Sequence, residues 1–461
     1  MVLDYILEGG IIVDGTGNPW FKADVAIKDG KIEKIGKISN LQAEKRIEIK
    51  GLVLAPGFID IHSHSDMILY TVPNSDFKVR QGVTTEVVGN CGFSAAPLEG
   101  EALRDAERTI KNLPGGDERS ISWRTFSEYF QCLERSGTPL NVATLVGHST
   151  VRSCIMGFKD EEPTKSEIEE MKELVAQSMD EGALGLSTGL IYPPGCYAKT
   201  HELIELSKVV AKYGGVYSSH IRNEGNLLLQ SVLEAIEVGR KSGVPVHISH
   251  HKASGMLNWG KVRASLSLMV EARRQGLDVT CDVYPYTAGC SWCLSPLLPR
   301  WVSEGGVSTM IDRLKRRDVR ERIRRQVALG MDVSPLLELG DWKSILIAAV
   351  KTEKNKCFEG KSIADIANIT GKDPLDCLID LIIEEEDEVT GFFFTMCEED
   401  VKYVITHPLS MIGSDSVPPR RTGLVHPRNY GTFPRVINKY VNTEGVLTLE
   451  EAVRKMTSAP A

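Results

Sequence analysis

Long apolar runs are missing from this sequence: no stretch approaches the ~20 residues that a membrane span requires. The opening Met1-Val2-Leu3-Asp4-Tyr5 lacks the basic flank and apolar stretch of a secretory leader, so a cytoplasmic protein is expected. Positive charge is also in deficit. Lys plus Arg number 54 against 62 Asp plus Glu, a net charge of -8, and such a surface repels phosphate, which argues against a nucleic-acid partner. Cysteine is sparse, with ten irregularly spaced residues in 461, too few for a disulfide scaffold. In a cytoplasmic chain they read as buried thiols or metal ligands. What remains is ordinary, with 42% apolar and 25% charged residues, against disorder, collagen-like repeats and coiled coils. The length suits one barrel with a small appendage.

Two regions differ in pattern. Residues 1–50 carry short β-type runs broken by turn signals, among them Asp29-Gly30 between alternating segments, a type I′ hairpin signal. They are expected to form a small, sandwich-like β domain. From residue 51 onward apolar runs alternate with amphipathic helices. Strands are predicted at 52–61, 85–89, 142–147, 183–187, 216–219, 244–248, 279–283 and either near Val404 or at 411–413. A helix is predicted over 167–179, with Thr164 and Glu167 as its capping box. Eight such alternations make an α/β protein, a (β/α)8 TIM barrel over residues 51–461, with catalytic groups at the C-terminal strand ends. About 120 residues separate strands seven and eight, too many for one βα unit, so 287–345 is expected to be an inserted lid. It contains a basic helix, predicted over 312–327, whose arginines read as a solvated face.

The strand ends carry the chemistry. In Asp60-Ile61-His62-Ser63-His64 the two histidines stand at i and i+2, so both side chains leave the strand on one side and make half of a metal site. Cys91, His220, His250 and Asp415 follow strands two, five, six and eight. Ten histidines exist in the chain, and core histidines scattered at random would not keep landing at one end of a barrel. His148 is expected beside the ligands as a supporting group. Lys252, Arg222 and Tyr286, close behind strands six, five and seven, are candidates to bind a substrate.

These residues sit in longer motifs. Leu54-Ala55-Pro56-Gly57-Phe58-Ile59-Asp60-Ile61-His62-Ser63-His64 resembles the signature of the amidohydrolase superfamily. Gly89-Asn90-Cys91-Gly92, Gly185 through Gly195 with Tyr192 inside it, His220-Ile221-Arg222-Asn223-Glu224 and His426-Pro427-Arg428 resemble the N-acyl-D-amino-acid deacylases. The resemblance implies a zinc enzyme that hydrolyses the amide of an N-acyl-D-amino acid. It further implies a tight zinc site on Cys91, His220 and His250, a weaker one on His62, His64 and Asp415, Asp415 as the catalytic acid-base, and Tyr192 among the substrate-binding residues. Whether a second zinc binds is left open. Related cyclic-amide hydrolases carry a lysine on strand four, which Gly182 to Thr188 lacks. A hydantoinase- or dihydroorotase-like enzyme is therefore the runner-up, ahead of a non-catalytic scaffold and of a thiol hydrolase using Cys91 with His220. Cys290 and Cys293 are expected to be structural. The expected partner is a small-molecule N-acyl amino acid. Family members continue past Ala461 into strands that complete the small β domain, so a truncated form, or a homo-oligomer whose second copy covers the small sheet, is also expected.

Overall fold

The structure, a computed structural model, describes residues 2–38, 40–73 and 76–461. At the N-terminus β1 (Leu3–Ile12) pairs antiparallel with β2 (Phe21–Lys28), which carries β3 (Lys31–Gly36) on its outer edge. The hairpin between them turns at Asp29 and Gly30, with φ of 49° and 72°, the paired positive values of a type I′ turn. On its other side β1 runs parallel to β4 (Ala43–Glu48) and then β5 (Val53–Leu54). Leu3, Ile6, Ala26 and Ile38 form its small core. Among the described residues this is one sheet, not the sandwich-like pair expected: β4 and β5 extend β1 sideways instead of stacking on it.

The barrel strands follow in chain order: β6 (Phe58–Asp60), β7 (Val83–Val88), β8 (Asn141–Thr144) continuing past Leu145 as β9 (Val146–Gly147), β10 (Gly185–Gly189), β11 (Val216–His220), β12 (Val246–Ile248) and β13 (Val279–Val283). All neighbouring pairs are parallel. The chain then leaves the barrel to build an antiparallel sheet from β14 (Gly289–Ser291), β15 (Ile345–Ala349) and β16 (Thr390–Phe393). It returns as β17 (Ser410–Ile412), parallel to β13. The last strand meets the first through a parallel bridge between Ser63 and Ser416, and Asp415 N donates to His62 O at 2.8 Å. Ligand-bearing ends thus adjoin at the seam.

Outer helices bury one stripe each. The helix Lys165–Asp180 starts at the predicted Thr164–Glu167 capping box and turns Met171, Val175 and Met179 inward. Leu203, Leu206 and Val210 of Thr200–Lys212, and Val262, Leu266 and Met269 of Val262–Arg274, do the same.

The insertion is larger than expected. Its sheet and separate core, which includes Leu294, Ile323, Ile345, Ile347, Leu378 and Ile382, run on to β16, well past residue 345. The basic segment is two helices, Gly306–Leu314 and Arg317–Ala328, because Arg316 is extended at φ -80° and ψ 131°. Its arginines are only partly a solvated face. Arg317 is open to solvent, but Arg320 and Arg324 each lie 2.8 Å from an aspartate, Asp380 and Asp376, of the helix Pro374–Glu384.

Candidate metal centre

Cys91, His250 and Asp415, each just past a barrel strand, have φ of 53°, 35° and 48°, in the left-handed region that side-chain-bearing residues seldom adopt. Such backbone costs on the order of 1–3 kcal/mol per residue and persists only where the surroundings enforce it. Space for the Cys91 turn comes from glycine. At Gly92, with φ of 83°, a Cβ would lie 2.7 Å from the backbone nitrogen of Gly189.

The side chains converge on one point. Cys91 Sγ lies 3.3 Å from His62 Nε2 and 3.4 Å from His250 Nε2. His250 Nε2 is 2.8 Å from His220 Nδ1. Asp415 Oδ1 is 3.1 Å from His64 Nε2 and 3.6 Å from His62 Nε2. All six predicted ligands are therefore brought together, buried except for the half-buried His64. His62 is shared by two triads, one with Cys91 and His250 and one with His64 and Asp415. A third triad, His220, Glu224 and His250, includes a carboxylate that the sequence reading passed over.

The donor set fits zinc. A tetrahedral ion with Zn–S near 2.3 Å and Zn–N near 2.0 Å holds its sulfur and nitrogen ligands about 3.5 Å apart, close to the spacing around Cys91. His220 Nε2 is buried without a hydrogen-bond partner among the described residues. Burial pushes the Cys91 thiol up, but His62 and His250 outweigh it and hold the thiol well below its usual value, toward the thiolate that binds metal. Burial and the neighbouring His250 both lower His220, favouring the neutral imidazole.

Behind these side chains stand groups that orient them. Asp282, fully buried on β13, lies 3.0 Å from His62 Nδ1 and 3.0 Å from His247 Nε2, the carboxylate–histidine arrangement that fixes a ligand's tautomer. Arg428 is fully buried and donates to Asp415 Oδ2 at 2.7 Å. Burial pushes the Asp415 carboxyl up, yet Arg428, His250 and His64 hold it well below the usual carboxylate range. Lys252 Nζ lies 2.6 Å from Glu224 Oε1 and 2.8 Å from His250 Nδ1. Burial disfavours the Lys252 cation, but Glu224 overrides it and raises the pKa. The Tyr284 ring sits against both cations, 5.7 Å from Lys252 Nζ and 4.9 Å from Arg428 Cζ.

The four predicted substrate-binding residues divide. Lys252 is at the cluster, and Tyr192 faces it with its ring centroid 5.0 Å from that of His220. Burial, then the Cys91 and Asp415 charges, push the Tyr192 hydroxyl well up, so it keeps its proton. Arg222 does not join the cluster: its guanidinium donates to Glu234 at 2.8 and 2.9 Å and to the carbonyls of Cys196 and Ala198. Tyr286 is turned away as well, donating to Pro427 O at 3.3 Å while its ring covers Arg435. Tyr284, two residues earlier, is the tyrosine whose ring lies against Lys252 and Arg428. His148 is buried 2.7 Å from Glu202, in a network with Arg152 and not with the ligands. His426 is buried and accepts the backbone N–H of Arg428. Two of the groups missed left signals in the motifs: Glu224 is i+4 from His220, and Arg428 closes His426-Pro427-Arg428.

Comparison with known proteins places this geometry. Residues 46–333 match the amidohydrolase family, and residues 1–57 match the N-terminal domain of the urease alpha-subunit. The chain is 34% identical to a D-aminoacylase from Alcaligenes xylosoxydans xylosoxydans over 99% of its own length and 83% of that protein's. It is 34% identical to an N-acyl-D-glutamate deacylase of the same organism, covering 100% of this chain and 83% of the relative. Among solved structures, an N-acyl-D-glutamate deacylase from Bordetella bronchiseptica superposes with a TM-score of 0.81 at 32% identity, over 100% of this chain and 85% of that one. That crystal holds zinc and a phosphonate inhibitor that mimics the reaction's tetrahedral intermediate.

Proposed function

Because the chain belongs to the amidohydrolase family and is akin to its D-aminoacylases, we propose that it hydrolyses the amide bond of N-acyl-D-amino acids, giving a carboxylate and a free D-amino acid, with zinc as cofactor. The observation that carries this reading is the juxtaposition of a Cys–His donor set with the arginine-held carboxylate of Asp415 and the cation of Lys252. The substrate is a small molecule. A cytoplasmic location suits ten free thiols.

In this reading Cys91, His220 and His250 hold the tight zinc, and His62, His64 and Asp415 a weaker one. When bound, zinc acidifies water and polarises a carbonyl. Asp415 moves the proton. Its Oδ2 is occupied by Arg428, which leaves Oδ1, on the side of His64 and His62, to accept a proton from the attacking water. The water oxygen bonds to the acyl carbon, the C–N bond breaks, and Asp415 returns the proton to the departing nitrogen, so a neutral amine leaves. Tyr192, which retains its hydroxyl proton, donates a hydrogen bond to the substrate. Lys252, with Arg428 beside it across Tyr284, holds the α-carboxylate.

Asp415→Asn is expected to lower kcat by about 10²- to 10⁴-fold while zinc remains on the Cys91 site, checked by kinetics alongside metal analysis. Turnover near wild type would sink the assignment of Asp415. A parallel screen of N-acetyl, N-formyl and N-succinyl D- and L-amino acids should show activity on the D series. Activity confined to L isomers or to hydantoins would overturn the substrate class.

A further inference from the structure

Beneath the metal centre lies a buried charge cluster that none of the steps above uses. Lys78, 1% exposed, donates from Nζ to Ser414 Oγ at 2.7 Å and to the fully buried carboxylate of Asp60, and it stands 3.8 Å from Glu86 Oε2. Asp60 in turn accepts from Ser414 N at 2.8 Å and Ser414 Oγ at 2.6 Å. Ser414 is thereby held at its backbone and side chain, one residue before Asp415 enters its left-handed turn. Three positions on, Gln81 lies at the end of the same short turn, Val79–Gln81. Its Nε2 donates to Asn429 O at 2.8 Å and its Oε1 accepts Phe433 N at 3.4 Å, both in the helix Arg428–Arg435.

We propose that Lys78 and Gln81 are positioning residues: from one turn they fix the two sides of the Asp415–Arg428 pair, Lys78 through Ser414 and Gln81 through the helix that begins at Arg428. Neither touches a metal ligand directly. An unpaired lysine could not be buried here without strong cost, so its partners at Asp60 and Ser414 define a single arrangement of the β17 end. Misplacement of a catalytic group by about 1 Å can cost about 10²-fold in rate, so holding Asp415 matters to turnover more than to substrate affinity.

The inference rests on Asp415 as the proton-transfer group, so Asp415→Asn is measured alongside. Ser414→Ala cuts the side-chain links of Lys78 and Asp60 to the strand end, leaving the Lys78–Asp60 ion pair and the Asp60 bond to the backbone N of residue 414, and Gln81→Met cuts the other side. On the zinc-loaded full chain each is expected to lower kcat by about 10- to 10²-fold, with KM within about threefold and zinc content and circular dichroism unchanged. Lys78→Met added to Ser414→Ala should then cost little more, since both remove one link. If Lys78→Met fails to fold, the other two variants decide. Folded Ser414→Ala and Gln81→Met with wild-type kcat per bound zinc, beside an inactive Asp415→Asn, would overturn the positioning role alone. An active Asp415→Asn would overturn the reading on which it stands.

Discussion

Lys252 shows how a single side chain at this site is bound from several directions. Its ammonium is shared between Glu224, His250 Nδ1 and the face of Tyr284, so it is held as a cation beside the cluster. Lys252→Met keeps the aliphatic stem and removes the charge. The expected result is a loss of about 10- to 10²-fold in preference for a free α-carboxylate over the corresponding amide, read from kcat/KM on both substrates. An unchanged preference would remove Lys252 from substrate recognition. The ligands around it were legible because each ends a strand and each is of a type metals select. Asp282 and Lys78 were not, because each is an ordinary charged residue until the fold sets it beside a partner 220 or 336 positions away. Arg222 and Tyr286 were misjudged for the converse reason. Proximity in sequence to a strand end does not decide whether a guanidinium turns to the pocket or finds a glutamate first.

Among the elements, the inserted lid is tied together internally by a buried carboxylate. Asp387 accepts the backbone N–H groups of Leu294 and Ser295 at 3.0 Å each, and burial pushes its carboxyl up to about 6. A carboxyl raised in the folded state favours folding most fully below its ordinary pKa, and that contribution is lost as pH rises through about 6. Asp387→Asn keeps an oxygen acceptor and removes the titration. Relative to wild type, the variant is expected to gain up to about 3 kcal/mol between pH 4 and pH 7, measured by denaturant melts at both. A difference that stays flat across that range would contradict the raised carboxyl. Element by element, sequence reading succeeded where periodicity is strong: β13 lies where it was expected, and so does the capped helix from Lys165. It failed where apolar runs are ambiguous. The stretch around Val404, an alternative for the last strand, is a helix, Glu398–Thr406, and the lid's later strands were not anticipated because they pair only with each other and with β14.

For the molecule as a whole, the candidate metal centre gathers residues from the first, second, fifth, sixth and eighth barrel positions, so an ion bound there would cross-link most of the ring. Ligand binding to the folded state alone stabilises it by about 4 kcal/mol at a thousandfold excess over Kd. Chelation is therefore expected to abolish hydrolysis and to lower Tm together, with both restored by added zinc. Full activity in chelator would identify Cys91 as a nucleophile in its own right. No helix among the described residues is long and apolar enough to cross a membrane. The seam between Ser63 and Ser416 has one more result. A ribosome releases this chain from its N-terminus, so the thiol and all four imidazoles of the centre emerge long before Asp415. On the proposed reading, the nascent chain therefore holds its metal donors before it holds the carboxylate that completes the machinery. With Asp415 in its proposed role, catalytic competence waits for the eighth strand to close the ring.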